Sequence, residues 1–572
     1  MHDTVIRGGT IIDGTGRKGF AGDIAIDGDR IAQVGGKAGP GRREIAAEGL
    51  LVTPGWVDAH THYDGQATWD PLLAPSSWHG VTTILFGNCG VGFAPVRRQD
   101  HAELIGLMEA VEEIPGIALA EGLKWNWESF PQYLDALDGM QRSIDVAAQV
   151  PHHPLRVYVM GQRAIDLEPA TAEDIEAMRR LTLEGLKAGA FGFTTSRTNS
   201  HKTLSGGMVP SRYSEVEELL GIGRTLGEAG HGAFGMNSDF DIEESELSWM
   251  TQLGRETGRP VWFLLTDRPT DEARWRRLMD GVKAARAQGA MVTAQVAGRP
   301  VGVLLGADTA LNPFSIRPSY QALLRLPIEE RMRRLRDPAV RAEILADRPA
   351  EALVSRLSQF RQHIVRRWHR MFKLGDPPDY EPPASESIAA IAEREGRTPD
   401  EVAYDYMAAD PANLIFFPVT GYNIDNHDVI HGMLTDEATV LGLGDGGAHC
   451  SSILDAGVPT WMLTHWARDR HRGPRLPLEF VVKRQTSETA TFFGFNDRGV
   501  LAPGMKADVN LIDYEGLRLH KPEVWYDLPA GGRRLMQRVE GYKATFVSGV
   551  PVFEGGEHTG ALPGRLVRAG RG

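Results

Sequence analysis

Two histidines one residue apart, His60 and His62, stand in Val57-Asp58-Ala59-His60-Thr61-His62. On an extended strand, residues two apart point to the same side. Both imidazoles can therefore project into one cavity, at a spacing that suits a single metal ion. An H-x-H pair also occurs as two ordinary structural histidines, so position has to decide between the readings. The apolar run before it reads as a buried strand, and barrel enzymes place catalytic groups at such strand ends. A second stretch, Leu441-Gly442-Leu443-Gly444-Asp445-Gly446-Gly447-Ala448-His449-Cys450, sets Asp445 after a strand and before two glycines. There it is either a working carboxylate beside a close-approaching backbone or a turn former. A third, Phe86-Gly87-Asn88-Cys89-Gly90, ends an apolar run on Cys89, which is either a small core residue or a ligand. Its flanking glycines at a strand end favour function.

Other candidates are weaker. Arg197, in Thr195-Ser196-Arg197-Thr198-Asn199-Ser200-His201, could fork onto a substrate carboxylate. His201 and His449 could bind substrate by polarising its carbonyl, or reach a metal; each also reads as a hydrogen-bonded loop residue. His152 and His153 precede the expected third strand and read as structural. Ser451 and Ser452 lack the G-x-S-x-G turn of a nucleophile.

Positioning these residues requires strands alternating with helices. Leu51–Asp58, Thr82–Gly87, Arg156–Met160, Ala190–Ser196, Ala233–Asn237, Val261–Thr266, Met291–Ala297 and Thr439–Asp445 read as strands. Helical text such as Asp174–Ala188, Glu215–Ala229 and Asp271–Ala287 separates several of them. The expected fold class is α/β, a parallel (β/α)8 barrel. Short strand-and-turn text at both ends (Thr4–Arg7, Thr10–Asp13, Asp23–Ile26 and Arg30–Val34, then residues 499–513 and 544–553) reads as one small β-sandwich domain. The expected division is therefore 1–54 plus 496–572 for the β domain and 55–495 for the barrel.

One stretch breaks the alternation. About 140 residues separate the last two expected strands, and a helical insert at about 312–378 is basic. Arg317–Lys373 carries 14 basic and 6 acidic residues in a chain of net charge −13. Arg331, Arg333, Arg334 and Arg336, then Arg361, Arg366, Arg367 and Arg370, form either a solvated or subunit-contact face or a lid that draws an anionic substrate.

Composition narrows the function class. The chain has 572 residues, 42% of them hydrophobic, enough for a large core. Its acidic balance argues against nucleic-acid or membrane-surface partners. Two cysteines, Cys89 and Cys450, cannot form a disulfide scaffold; both are expected at the mouth of the barrel. No signal-like start and no apolar run of membrane-spanning length is visible. A cytoplasmic protein is the expectation.

Gly55-Trp56-Val57-Asp58-Ala59-His60-Thr61-His62 and Gly499-Val500-Leu501-Ala502-Pro503-Gly504-Met505-Lys506-Ala507-Asp508 resemble the amidohydrolase superfamily. His62-Tyr63-Asp64-Gly65-Gln66, Gly87-Asn88-Cys89-Gly90 and Gly189-Ala190-Phe191-Gly192-Phe193-Thr194-Thr195-Ser196 resemble its N-acyl-D-amino-acid deacylase branch. The resemblance implies zinc held by His60 and His62, Cys89 as a further ligand, and Asp445 as the catalytic aspartate. It also implies histidines at the fifth and sixth strand ends, where Asn237 and Leu265 stand instead. No convincing metal-bridging lysine marks the fourth strand. The expectation is one zinc ion on His60, His62 and Asp445, with Cys89 as a less secure ligand. The substrate is expected to be a small amide carrying a carboxylate, and the chain is a candidate homo-oligomer. Two other functions stay open: a hydantoinase-type cyclic-amide hydrolase, and a non-catalytic assembly protein of the same fold.

Overall fold

Val81–Phe86 shows why the central strands form: VTTILF is buried at all six positions, as befits a parallel strand covered on both faces. The computed structural model describes residues 1–570 apart from 269–270, 355–361, 363, 366, 423–424 and 443. Eight strands run parallel. They are Trp56–Asp58, Val81–Phe86, Asp145–Ala148 continued by Val150–Pro151, Gly192–Arg197, Ala233–Ser238, Val261–Leu264, Val292–Ala297 and Thr439–Gly442. Each pairs with the next, from Asp58 beside Ile84 and Phe86 beside Ala148 to Ala297 beside Gly442. The third strand changes partner at Gln149, pairing first with the second strand and then with the fourth. The eighth and first strands share no ladder among the described residues, but their extensions meet. Asp445 N–H donates to His60 O at 2.8 Å, and His62 N–H donates to Gly446 O at 2.7 Å.

The α/β reading is thus borne out, with two changes to its strands. Arg156–Met160 belongs to a helix, His152–Met160, and the third strand lies just before it. Leu-Arg-Val-Tyr-Val-Met is a short apolar run whose period does not separate a strand from a buried helix. The true strand was hidden by its first residue, Asp145, a fully buried carboxylate. Asp145 Oδ2 pairs with Arg498 Nη1 at 2.7 Å and Lys506 Nζ at 2.9 Å, tying the parallel strands to the returning chain. Leu51–Asp58 is two strands, since Leu51–Pro54 joins a different sheet.

That other sheet has nine strands drawn from both ends of the chain. Leu51–Pro54 lies antiparallel to Val509–Ile512, with Val52 beside Leu511. Ile6, Ile24, Val52, Val509, Leu511 and Phe546 share its core. Thr4–Arg7 and Thr10–Asp13 prove to be one strand, His2–Ile11, with its register broken between Ile6 and Gly9. A hairpin, Arg518–Leu528 with Gly532–Glu540, stands apart from this sheet and reaches the loop after the eighth parallel strand. There Leu535 N–H donates to Cys450 O at 2.6 Å.

The stretch between the seventh and eighth strands builds its own core from Val303, Phe314, Tyr320, Leu335, Ile391 and Phe417. Among the described residues, none of its arginines lines the cavity at the strand ends. Arg331 is buried and donates to the carbonyls of Ala307, Leu324 and Leu326. Arg333 and Arg334 pair with Glu330, Arg336 holds Ala408 O and Ala409 O, and Arg370 holds Pro418 O. Arg361 and Arg366 lie outside the described residues. Loop and helix-end carbonyls need donors, and this charge supplies them. Among the described residues no helix is long and apolar enough to cross a membrane.

Candidate active site

The first strand ends at Asp58, and the chain then carries His60 and His62 into a cavity of about 990 Å³. Cys89 enters from the turn after the second strand, and Asp445 and His449 from the turn after the eighth. His60, His62 and Cys89 offer ligand atoms that all lie within 4.8 Å of one another. His60 Nε2 is 3.5 Å from Cys89 Sγ. His62 Nε2 is 3.3 Å from Asp445 Oδ1.

Of the opposite ring nitrogens, that of His60 is hydrogen-bonded and that of His62 faces a carboxylate without a hydrogen bond. His60 Nδ1 lies 2.7 Å from Gln295 Oε1 on the seventh strand, and a carbonyl oxygen can only accept. The proton is therefore on Nδ1, and Nε2 presents a lone pair. His62 Nδ1 faces Glu112 Oε1 at 3.4 Å, at the end of helix His101–Glu112. Holding the far nitrogen as Gln295 holds that of His60 orients a metal-binding histidine and sets its tautomer. The donor set of two imidazoles, a thiol and a carboxylate suits zinc.

Close approach explains the glycines around Asp445. A Cβ on Gly444 would lie 2.0 Å from Asp58 Oδ2, and one on Gly446 would lie 2.3 Å from Ser76 Oγ. Cys89, Asp445 and His449 all have left-handed backbone, with φ of 54°, 51° and 47°. For non-glycine residues that conformation costs about 1–3 kcal/mol each and concentrates at functional sites.

Burial and charge set the protonation. Burial lowers His60, and the neighbouring His62 lowers it further, to about 4. Burial alone would also lower His62, but Glu112 and Asp445 outweigh it and hold His62 well above its ordinary value. Burial pushes Asp445 up, yet the hydrogen bond and charge of His62, with His449 and His60, hold it below the usual carboxylate range. Burial raises the Cys89 thiol; thiolate character there requires a cation.

His201 also lines the cavity, with Nδ1 2.9 Å from Ser196 Oγ and Nε2 3.5 Å from Asn237 Nδ2. Arg197 does not. Its guanidinium is held by Glu246 Oε1 at 2.9 Å and by Ser214 O, because the side chain at the end of the fourth strand turns towards the helix layer. The cavity cations are instead Lys202, Arg268 and Arg274. Lys202 makes no ion pair among the described residues, whereas Arg268 and Arg274 are engaged by Asp239 and Glu243. Cys450 is buried outside the cavity, beside Gly447 O and Gln66. His152 and His153 follow the third strand rather than precede it. His152 joins a buried network with Thr195, Glu218 and Arg156. Asn237 and Leu265 line the cavity at the fifth and sixth strands, where neither supplies an imidazole.

A model of the amidohydrolase family matches residues 43–553. The chain belongs to the amidohydrolase family. An uncharacterized protein of Mycobacterium tuberculosis is 29% identical, over 100% of this chain and 95% of its own length. The D-aminoacylase of Alcaligenes xylosoxydans xylosoxydans is 26% identical, over 99% and 97%. The crystal structure of N-acyl-D-glutamate deacylase from Bordetella bronchiseptica, complexed with zinc and a phosphonate inhibitor, has the same fold. It has a TM-score of 0.62, 24% identity, and coverage of 99% of this chain and 100% of that one. As an amidohydrolase the chain is a metal-dependent enzyme acting on carbon–nitrogen bonds other than peptide bonds.

Two residues of this amidohydrolase site escaped sequence reasoning, Gln295 and Glu112. Gln295 had a signal: it is a fully buried amide inside the strand VTAQVA, and buried amides need partners. Glu112 had none, since it closes an ordinary-looking helix. Replacing Gln295 by Leu should leave the fold intact and weaken metal binding about 10- to 100-fold. Competition with a chromogenic chelator would measure this, and unchanged affinity would remove Gln295 from the site.

Proposed function

We propose that this chain deacylates N-acyl amino acids, D enantiomers first, at one zinc ion held by His60, His62, Cys89 and Asp445. We read the eight parallel strands as a closed (β/α)8 barrel and residues 1–54 with 496–572 as the accessory β domain. The observation that carries the proposal is the pairing of ring nitrogens: Gln295 and Glu112 face both Nδ1 atoms, and both Nε2 atoms turn to Cys89 and Asp445.

A zinc ion there would supply Lewis acidity, making water nucleophilic at neutral pH and polarising an amide carbonyl. The chain's own groups do the rest. Asp445 takes the proton of the attacking water and passes it to the leaving amine. His449, a quarter exposed to the cavity and held above its ordinary pKa by Glu112 and Asp445 against burial, donates to the carbonyl oxygen as charge develops there. His201, pushed down to about 3 by burial and the neighbouring His449 and His62, stays neutral on the cavity wall. Lys202 takes over from Arg197 the role of receiving the substrate carboxylate.

The direct test combines elemental analysis with a substrate screen. Purified enzyme should contain about one zinc per chain at this site, lose turnover of N-acyl-D-amino acids on chelation, and regain it with zinc. Turnover confined to cyclic imides would overturn the substrate class. An absence of stoichiometric metal would overturn the mechanism and favour a non-catalytic assembly protein.

A further inference from the structure

A separate cluster of metal-ligand side chains lies away from the catalytic cavity. Glu381 follows strand Phe372–Lys373 in the stretch between the seventh and eighth strands, His427 precedes helix Asp428–Thr435, and His465 lies in helix Met462–Asp469 after the eighth strand. All three are buried, at 2%, 0% and 8% exposed, and their ligand atoms lie within 4.8 Å of one another. None of them lines the cavity of His60 and His62. His427 Nε2 is 2.8 Å from Tyr380 O, which can only accept. The proton is therefore on Nε2, and Nδ1 presents a lone pair 3.8 Å from Glu381 Oε2. His465 Nε2 lies 3.0 Å from the same oxygen. Among the described residues neither nitrogen has a hydrogen-bond partner.

Arg470 accounts for the carboxylate but not for the nitrogens. Its Nε donates to Glu381 Oε2 at 3.1 Å and its Nη2 to Oε1 at 3.0 Å, while His427 N–H donates to Oε1 at 2.7 Å. Oε1 is thus saturated, whereas Oε2, the oxygen that both rings approach, keeps one lone pair. A protonated His465 would have to aim its N–H at Oε2, and at 3.0 Å it does not. Buried polar atoms are rarely left without a partner. Two ring nitrogens and a carboxylate oxygen around one point call for a cation. Zinc bonds of about 2.0–2.1 Å at tetrahedral angles put ligand atoms about 3.3 Å apart, and 3.0 and 3.8 Å bracket that spacing. Tyr380 O holds the far nitrogen of His427 and Arg470 holds the carboxylate, the outer contacts that orient metal ligands. The helix carrying His465 has wide i→i+5 turns, with Arg470 N–H donating to His465 O at 2.9 Å, and such turns gather at functional sites.

We propose that Glu381, His427 and His465 form a structural site for zinc or a similar divalent ion, separate from the catalytic one. Three protein donors leave the fourth corner of the tetrahedron to water. Two ligands come from the stretch that builds its own core and the third from the helix after the eighth strand, so the ion fastens one to the other. Trp461 stacks on His465, with ring centroids 4.1 Å apart and planes at 11°, and covers the site with apolar surface. Binding needs all three segments folded, so its free energy adds to that of folding. Nothing in the site depends on the deacylase reading.

The test uses the full chain, stripped of metal and titrated with zinc alone. A His60→Ala/His62→Ala background, which empties the catalytic site, should still take up one zinc per chain and gain about 2 °C or more in Tm. Adding His465→Gln to that background should abolish both the uptake and the shift. Anomalous scattering at the zinc edge from crystals of the zinc-loaded wild type should place a peak among Glu381, His427 and His465. That measurement needs no substitution and decides the question even where a variant does not fold. A difference map with only a water between the two rings would overturn the site. So would a background that binds no zinc, or one that binds it equally well with and without His465.

Discussion

Asp445→Asn should lower kcat/KM by about three to four orders of magnitude, the range associated with losing a positioned acid–base group, while the fold and cavity stay as they are. The carboxylate lies 3.3 Å from His62 Nε2 and 3.7 Å from His449 Nε2. Its backbone N–H is anchored on His60 O at 2.8 Å, and that anchor does not depend on the side chain. An asparagine keeps the shape and one acceptor oxygen but loses the charge and the capacity to take up a proton. Steady-state kinetics on the best N-acyl-D-amino acid, with metal content measured on the same sample, separate chemistry from metal loss. A variant that retains more than a tenth of wild-type turnover with full zinc would remove Asp445 from the mechanism.

The largest expected effect on stability belongs to Asp145→Asn. Asp145 is fully buried, between Arg498 at 2.7 Å and Lys506 at 2.9 Å, and its other oxygen accepts from Arg565 N–H at 3.0 Å. Neutralising it leaves Arg498 with Asp497 and Lys506 with Asp508 alone, so the cost lies below the roughly 3–5 kcal/mol of a wholly unpaired buried charge. Burial alone would raise this carboxyl, but the charges and hydrogen bonds of Lys506 and Arg498 hold it down to about 2. Because the folded pKa is depressed, the stabilisation is complete above the unfolded value of about 3.9. It is lost as pH falls from there through the folded value. Denaturant unfolding at neutral pH and across pH 5 to 2 should therefore show the variant weaker at neutral pH, with the difference shrinking towards pH 2. A constant difference over that range would show that the effect is packing rather than charge.

How far the site could be read in advance depended on whether its residues are neighbours in sequence. His60 and His62 are two apart on one chain segment, and the alternation of strand side chains is a local rule. Asp445 sits among glycines because Asp58, Ser76 and the His62 carbonyl pass within 2.0–2.8 Å of where their Cβ atoms would be. The glycines were visible and pointed to the right place. Arg197 was misjudged because a guanidinium beside a site can serve substrate or scaffold equally well. Glu246, on the helix after the fifth strand, claims it from 49 residues away. The basic insert stayed open between a solvated face and a lid for a related reason: net charge says nothing about whether arginines face solvent or cap carbonyls.

By itself the sequence determined the α/β class, the gathering of both termini into one sheet, the family, and the segments that carry His60, His62, Cys89 and Asp445. Each of these rests on local pattern, whether strand period, turn glycines or motif spacing, and so survives without coordinates. Only the tertiary structure decided where the third strand lies, that Gln295 and Glu112 face the far nitrogens of the two histidines, that Lys202 rather than Arg197 lines the cavity, and that Glu381, His427 and His465 gather at one point. Those outcomes depend on partners tens to hundreds of residues apart, whose meeting is set by packing and by the need to satisfy every buried charge and carbonyl. No window of sequence contains that information.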